Sequence, residues 1–507
     1  MNETRFVRLP LARRATLAVL ATRATLRRGL QRSTLTGIAA VVGACLACGC
    51  AVGPDYRHPP AANVPAAYKE LPPQGWAPGE PKELSSRGAW WAVYEDPVLD
   101  DLERQIDISN QTLKASQAAY RQSVATLQAA RATFFPDVTL DAAATRAHSV
   151  TTFGSRVTQN QFSIGPSASW VPDVWGRVRR TVESDAATAQ ASAADLASAR
   201  LSAQSQLAQD YFELRIADEL KRLLDATMAA YQRTLEITRN RYSVGVAAKS
   251  DVVTAETQLE NTHAAEVNVE AQRVPLEHAI AVLIGRTPAE FSIAPAPLAG
   301  SVPAIPYGVP STLLERRPDI ASAERQLAAA NAQIGVAISA YFPTLTLSAS
   351  GGFDKTTLSK LLEASNRVWS VGPQLAVTLF DAGAHRAQVA GARAAYDGTV
   401  ANYRQSVLLG IQQVEDDLAT LRVLAHQADV QNRAVELARQ AEQLTLNSYK
   451  AGVVDYTSVV QAQTTALSSE QSALTIRQNR LTASVSLIEA LGGGWTAAEL
   501  PGKKQLD

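Results

Sequence analysis

The sequence predicts an α+β membrane protein in which a few β-strands continue into very long helices, and three observations predict it. First, one offset of 207 residues organises the chain: Phe135-Pro136 recurs as Phe342-Pro343, Gly165-Pro166 as Gly372-Pro373, Gly176 as Gly383, Tyr242 and Gly245 as Tyr449 and Gly452, and Gly285 as Gly492. Punctuating residues that recur at one fixed spacing mark one structural unit used twice. Second, no Pro and little Gly occur from Gly176 to Tyr242 or from Gly383 to Tyr449. Each stretch therefore reads as a helix roughly 100 Å long, too long to bury in a globule. Third, hydrophobicity of period two follows both Phe-Pro pairs.

At the N-terminus an Arg-rich region precedes an apolar stretch, Leu35 to Ala47, that is too short for a membrane span and closes on Leu46-Ala47-Cys48-Gly49-Cys50. Small residues before a cysteine at the end of an apolar run read as an export signal over 1–49 with lipid attachment at Cys50. Cys48 is the poorer acceptor. Cys45, Cys48 and Cys50 are the only cysteines, so a chain cut before Cys50 forms no internal disulfide. After Cys50 no apolar run is long enough for a membrane helix, so insertion must use strands.

Residues 51–89 are rich in Pro and Ala and read as an extended tether rather than a packed element. A helix is expected from near Asp100 to about Thr133, stopped by Phe134-Phe135-Pro136. Then Val138, Leu140, Ala142 and Ala144 alternate with polar neighbours, as do Phe162, Ile164, Ala168 and Trp170. In the second unit the apolar set is Leu345, Leu347 and Ala349, then Trp369, Val371, Leu375, Val377 and Leu379. These hairpins, near 136–172 and 343–380, are long enough to cross a bilayer at a tilt. Phe162, Trp170 and Trp369 suit an aromatic girdle. Four strands do not close a barrel; eight, from two chains, give an interior that side chains fill, and twelve, from three, leave a lumen. The shorter helical segments near 100–134 and 251–285 together match the long helix in length. Gly245 and Gly452 read as C-terminal stops of the long helices, and Asp251 and Asp455 as caps of the returning ones.

Composition removes several function classes. Of 48 basic and 48 acidic side chains, eight Arg and one Glu fall in the first 49 residues, so residues 50–507 carry 40 against 47, a net charge near −7. No basic patch points to nucleic acid. The six His, at 58, 148, 263, 278, 385 and 426, show no metal-ligand spacing. Without a phosphate loop or a Gly-x-Ser-x-Gly motif, the chain is expected not to be an enzyme, with no metal, no catalytic residues and no cofactor beyond the lipid on Cys50.

Several blocks carry a family resemblance: Cys50-Ala51-Val52-Gly53-Pro54-Asp55-Tyr56; Trp90-Trp91, Asp96-Pro97 and Leu99; and, most specific, Arg316-Arg317-Pro318-Asp319-Ile320 followed by Ala323-Glu324 and Phe342-Pro343. In this order, from Cys50 to about Gly494, the chain resembles the outer-membrane factors of tripartite efflux pumps, TolC-like channels, and specifically their OprM/NodT-type lipoprotein branch. The resemblance implies a homotrimer with four strands per chain in a twelve-stranded outer-membrane β-barrel, continuous with a periplasmic α-helical barrel. It implies a division into signal peptide (1–49), lipidated tether and start of an equatorial region (50–99), first repeat (100–285), equatorial linker (286–317), second repeat (318–492) and C-terminal equatorial tail (493–507). It implies a passive exit duct for drugs or other small toxic compounds, docked through a periplasmic adaptor (membrane fusion) protein to an inner-membrane, proton-driven RND-type pump. The adaptor would meet the hairpin tips, here Gly245, Val246, Gly452 and Val453. In such channels polar links close the tip end. Asp251 and Tyr449 match positions of one link, its basic partner is not matched because that position holds Val454, and the acidic pair of the mouth stands as Ser458 and Gln461. Two other classes remain to be separated: the outer-membrane exit of a type I protein secretion system, and a structural periplasmic coiled-coil lipoprotein.

Overall fold

The computed structural model describes residues 51–506 except 62–63, 75, 77–87, 151–153, 155, 299 and 301. The export signal and Cys50 lie outside the described residues. The main elements are α1 (Pro97–Ser109), α2 (Gln111–Ala132), β1 (Asp137–Val150), β2 (Arg156–Trp170), α3 (Arg177–Ser243), α4 (Lys249–Leu283), α5 (Pro318–Ser339), β3 (Thr344–Lys355), β4 (Arg367–Ala376), α6 (Ala384–Lys450) and α7 (Tyr456–Ala490). Both ends of α2, α3 and α4 fall on those of α5, α6 and α7 when shifted by 207. The hairpins obey the same shift: Asp137 pairs with Ser169, and Thr344 with Ala376.

The long helices α3 and α6 are 67 residues each. On the strand side, α2 packs against α3, and α5 lies between α3 and α6. On the far side α4 packs along α3 and α7 along α6. The shorter helices meet end to end at two like joints. Asn110 caps α2 by accepting from the Leu113 N–H at 2.9 Å, and its Nδ2 donates to the Leu283 carbonyl at the end of α4, 2.7 Å away. In the second unit the equivalent residue, Arg317, donates from Nη1 to the Ala490 carbonyl at 3.0 Å while its fork holds Asp319. Gly285 and Gly492 complete the joints at φ +70° and +91°; a Cβ there would lie 2.3 Å from the Ser109 carbonyl oxygen and 2.1 Å from that of Arg316.

The main apolar core lies at this level. Trp90, Trp91, Leu99, Ile106, Tyr211, Phe212, Tyr403 and Leu418 belong to one buried cluster. Asp96 caps α1 through the Val98 and Leu99 N–H groups and also accepts from the Tyr211 hydroxyl at 2.6 Å. The joined ends and this core form a waist between the strands and the hairpin tips.

Four expectations are revised. The helix expected from Asp100 to Thr133 is two helices, because Asn110 leaves the helical region at ψ 122° to cap both ends that meet there. Val377 and Leu379 lie beyond β4, because the next partner in β3 would be Pro343, which has no N–H to give. The tether is extended but packed: Tyr56, Ala61, Val64, Tyr68 and Trp76 lie against the core. Asp251 is not the first cap of its helix. Ala248 holds that place, and the Asp251 carboxylate reaches back to the Ala248 N–H at 3.3 Å.

Candidate functional site

The strands form one antiparallel sheet in the order β1-β2-β3-β4. Its register sorts the side chains by chemistry. One face carries Val138, Leu140, Ala142 and Ala144, opposite Ala168, Pro166, Ile164 and Phe162; it continues through Leu345, Leu347, Ala349 and Phe353 to Trp369, Val371 and Leu375. Trp369 is 80% exposed and Leu140 72%, values that water does not favour for so broad an apolar surface. Along β2 the apolar run from Trp170 to Phe162 covers roughly 26 Å of strand, close to the height of a membrane band. Above it the same face turns polar at Arg146, His148, Asn160 and Thr158. The other face is hydrophilic and self-bonded: Thr139 with Ser167 at 2.7 Å, Ser167 to Asp141 at 2.9 Å, Gln161 to Asp354 at 2.9 Å, and Ser350 with Ser370 at 2.9 Å. A sheet with one face for lipid and one for water is a segment of barrel wall. Among the described residues no helix is long and apolar enough to cross a membrane.

The girdle expected from Phe162, Trp170 and Trp369 is joined at the helix end by residues the sequence reading left aside. Trp170 donates from its ring to the Phe134 carbonyl at 2.9 Å, and Trp175 to the Pro343 carbonyl at 2.7 Å while stacking on Phe342. Here the chain's first described residues arrive. The Val52 N–H donates to the Trp175 carbonyl at 3.1 Å, and Ala51 lies so close to Gly176 that a Cβ there would sit 2.7 Å from the Ala51 methyl. Buried Arg180 fixes this segment through the Val52 carbonyl and, at 2.8 Å, Asp55. From there a strap descends: Tyr56 donates to Glu324, His58 stands edge-on to Tyr403, and the Lys69 and Glu70 N–H groups donate to Glu415 at 2.7 and 2.8 Å.

The opposite end consists of two hairpin tips. Gly245 and Gly452, at φ +77° and +78°, close α3 and α6 as the sequence predicts. The bonds match pair for pair: the Gly245 N–H to Tyr242 and Val246 to Arg241 in one, Gly452 to Tyr449 and Val453 to Ser448 in the other. This is the Schellman closure. It leaves Val246 and Val453 exposed at the tips. The returning helices differ. In the first, Ala248 is the cap and Asp251 bonds back to it; in the second, Asp455 is the cap and accepts from the Ser458 N–H and hydroxyl at 3.0 and 2.7 Å. Ser458 and Gln461 line an open groove between α6 and α7, with Gln461 within 3.5 Å of Thr465.

Tyr449 is buried, edge-on to Tyr456, and its hydroxyl donates to Thr238 at 3.4 Å. Burial pushes the Tyr456 hydroxyl up to about 12, with nearby Tyr449, Tyr231 and Asp251 adding to it. The residue that sequence reasoning missed is Arg241. Its guanidinium lies 4.6 Å over the Tyr449 ring and donates to the Tyr449 and Lys450 carbonyls at 2.7 and 3.0 Å. The chain thus places a cation at the carbonyl end of α6, where the helix dipole favours it, although Val454 is apolar. The signal was present: Arg241 is the one basic residue in the last turn of α3, and the equivalent position in α6 is Ser448.

The family described as outer membrane efflux protein matches residues 103–286 and 309–493. The chain is 28% identical over 454 residues to a probable efflux pump outer membrane protein, TtgC, of Pseudomonas putida, covering 88% of this chain and 93% of that one. It is 30% identical over 431 residues to nodulation protein T of Rhizobium leguminosarum bv. trifolii, covering 82% and 88%. Among solved structures, the outer-membrane channel OprN superposes with a TM-score of 0.81 at 30% identity, over 88% of this chain and all of that one. The CmeC outer membrane channel of Campylobacter jejuni shares the fold, with a TM-score of 0.82 at 22% identity, over 89% and 96%.

Proposed function

Because the chain belongs to the outer membrane efflux protein family, we propose that it is the exit duct of a tripartite efflux assembly, carrying drugs or other small toxic compounds across the outer membrane. One observation carries this reading: a sheet with a lipid face and a water face continues directly into paired 67-residue helices. The sheet breaches the bilayer and the helices span the space beneath it. Four strands with two free edges close only with other copies, and three copies give a barrel with a lumen. The exposed valines at Val246 and Val453, held on rigid turns, suit contact with a periplasmic adaptor, and through it with an inner-membrane RND-type pump. The duct itself moves nothing; the pump supplies both selection and energy.

The lipid on Cys50 belongs to the same proposal. Ala51 lies at the strand–helix junction, beside Trp175, so an acyl chain on the preceding residue enters the inner leaflet of the outer membrane. Cys50→Ser is expected to abolish acyl labelling while trimers persist, since the strands anchor independently.

The deciding experiment is gene deletion followed by growth on a panel of antibiotics, solvents, organic acids and metal salts. Sensitivity that the intact gene reverses is the expected outcome. Unchanged growth, with a protein missing from the medium, would favour the type I secretion reading instead.

A further inference from the structure

The pleat of the sheet separates charge by sign. Every cation of the four strands, Arg146, Arg156, Lys355 and Arg367, stands on the lipid face, and every carboxylate, Asp137, Asp141 and Asp354, on the lumen face. The cations also share one end, the one away from the helices. At the helix end the lipid face closes on Val138, Trp170, Leu345 and Leu375, none of them charged. A lone cation beside an apolar band is ordinary snorkelling. A set confined to one face and one end is a positive field aimed at the surrounding lipid.

The heights fit a headgroup layer. Phe162, Phe353 and Trp369 close the apolar band on β2, β3 and β4, where aromatic rings favour a membrane–water boundary. Lys355 is opposite Phe162 and Arg367 opposite Phe353. Lys355 is also the next lipid-face residue beyond Phe353, and Arg367 the next beyond Trp369. On β1 Arg146 follows Ala144 on the same face, with Asn160 opposite it. Arg146 and Arg367 are exposed and Lys355 half-buried. Among the described residues none of the three has an ion-pair partner.

We propose that this rim binds a phosphorylated glycolipid of the outer leaflet, with Lys355 and Arg367 on one phosphate and Arg146 on a second, beside the Asn160 amide. The proposal rests on the sheet standing as the duct's wall with the helices in the periplasm, which turns the loop end of the strands to the outer leaflet. Lys355 and Arg367 are diagonal neighbours on adjacent strands, about 7–8 Å apart, so both side chains can reach one phosphate. Arg146 and Lys355 stand two strands and two residues apart, roughly 12 Å, a span that suits a disaccharide phosphorylated at both ends. Arg and Lys are both phosphate ligands, the one as a fork and the other as a point charge. A zwitterionic phospholipid brings one phosphate with its own ammonium beside it, and so leaves most of this row without an anion. The carboxylates do not compete, because they lie on the other side of the wall.

The test is native mass spectrometry of the purified full chain in detergent, offered four lipids in turn: lipid A with both phosphates, the same lipid A with its phosphates removed, phosphatidylglycerol and phosphatidylethanolamine. The unsubstituted protein is expected to retain the bisphosphorylated form at least tenfold more than any other. Arg146→Gln combined with Lys355→Gln and Arg367→Gln is expected to abolish that preference. Arg433→Gln, exposed on α6 far from the strands, is expected to keep it. Equal retention of lipid A with and without phosphates, or an unchanged preference in the triple variant, overturns the proposal. Equal retention of phosphatidylglycerol overturns it too, since any anionic lipid then satisfies the rim. The four-lipid comparison on the unsubstituted protein decides the matter even where the triple variant fails to fold. Conductance of the same preparation in planar bilayers keeps the two readings apart: channels without a lipid A preference sink only this proposal, and absence of channels sinks the duct.

Discussion

Glu103 is fully buried on α1, and burial, with Asp107 adding to it, pushes its carboxyl up to about 9. A raised carboxyl holds its proton in the folded chain after the unfolded chain has released it. Stability should therefore fall as pH rises from the unfolded value toward 9. The slope is at most about 1.4 kcal/mol per pH unit. Glu103→Gln, which cannot ionise, should lose this slope, so its thermal midpoint should gain on wild type between pH 5 and pH 8. Parallel midpoints across that range would show the carboxylate is accommodated. The joint glycines give a sharper contrast. Gly492→Ala forces a methyl against the Arg316 backbone at positive φ, and should cost about 2–3 kcal/mol. Gly245→Ala, also at positive φ but in open space, should cost about 1 kcal/mol. Equal midpoints in thermal unfolding would refute the distinction. At this scale the sequence was partly legible. The glycines and the Pro stops were visible because backbone conformation leaves few alternatives. Arg241 was overlooked because its partner lies 208 positions away and is a main-chain carbonyl, which no residue pattern records.

At the scale of the element, the hairpin tip is where the sequence reading expects the closing links of the duct. The sequence reading paired Tyr449 with Asp251. In the structure the tyrosine hydroxyl makes one long bond to Thr238, and Asp251 bonds back to its own helix start. The shorter tie between α3 and α6 is Arg241, whose two bonds to the carbonyl end of α6 are charge-assisted and contribute about 1.5–3 kcal/mol each. Arg241→Ala should therefore raise single-channel conductance, or sensitise cells to large antibiotics, more than Tyr449→Phe combined with Asp251→Ala. The opposite ranking would restore the tyrosine–carboxylate pair as the latch, made across subunits. Element boundaries were the most legible level of all. Both long helices begin and end within a residue or so of their Gly and Tyr markers, since a Pro-free run of that length admits no other periodic structure. The break at Asn110 was not legible, because a mid-helix Asn signals a cap only when another helix end arrives beside it.

At the scale of the molecule, the repeat would make the proposed trimer a pseudo-sixfold object in which every second seam lies within one chain. Detergent-purified protein should sediment as a trimer, and a stable folded monomer would contradict the open sheet edges. The apolar band gives a companion test. Leu140→Arg on the lipid face should cost about 2–4 kcal/mol near the bilayer midplane and lower outer-membrane yield, whereas Ser348→Arg on the lumen face should spare yield and alter conductance. Fold and membrane topology were readable from alternation, repeat offset and helix length together. The packing of the strap was not, because its Pro-rich composition fits a free linker equally well until Tyr56, Tyr68 and Trp76 find surfaces supplied by distant parts of the chain.

The end-to-end joints at Gly285 and Gly492 also have a mechanical meaning. They interrupt one helix of each pair at the waist while α3 and α6 run through unbroken. Each pair is thus a continuous rod beside a hinged one, with the fulcrum near Tyr211. The strap clamps the arm on the membrane side and leaves the other free. From Tyr211 to the tip at Ser243 is roughly 50 Å at 1.5 Å per residue. A bend of about 10° in the long helices at that level would swing each tip through roughly 9 Å on that arm. Leverage of this kind would turn a small rearrangement at the waist into a wider opening at the far end, with the barrel in the membrane held still.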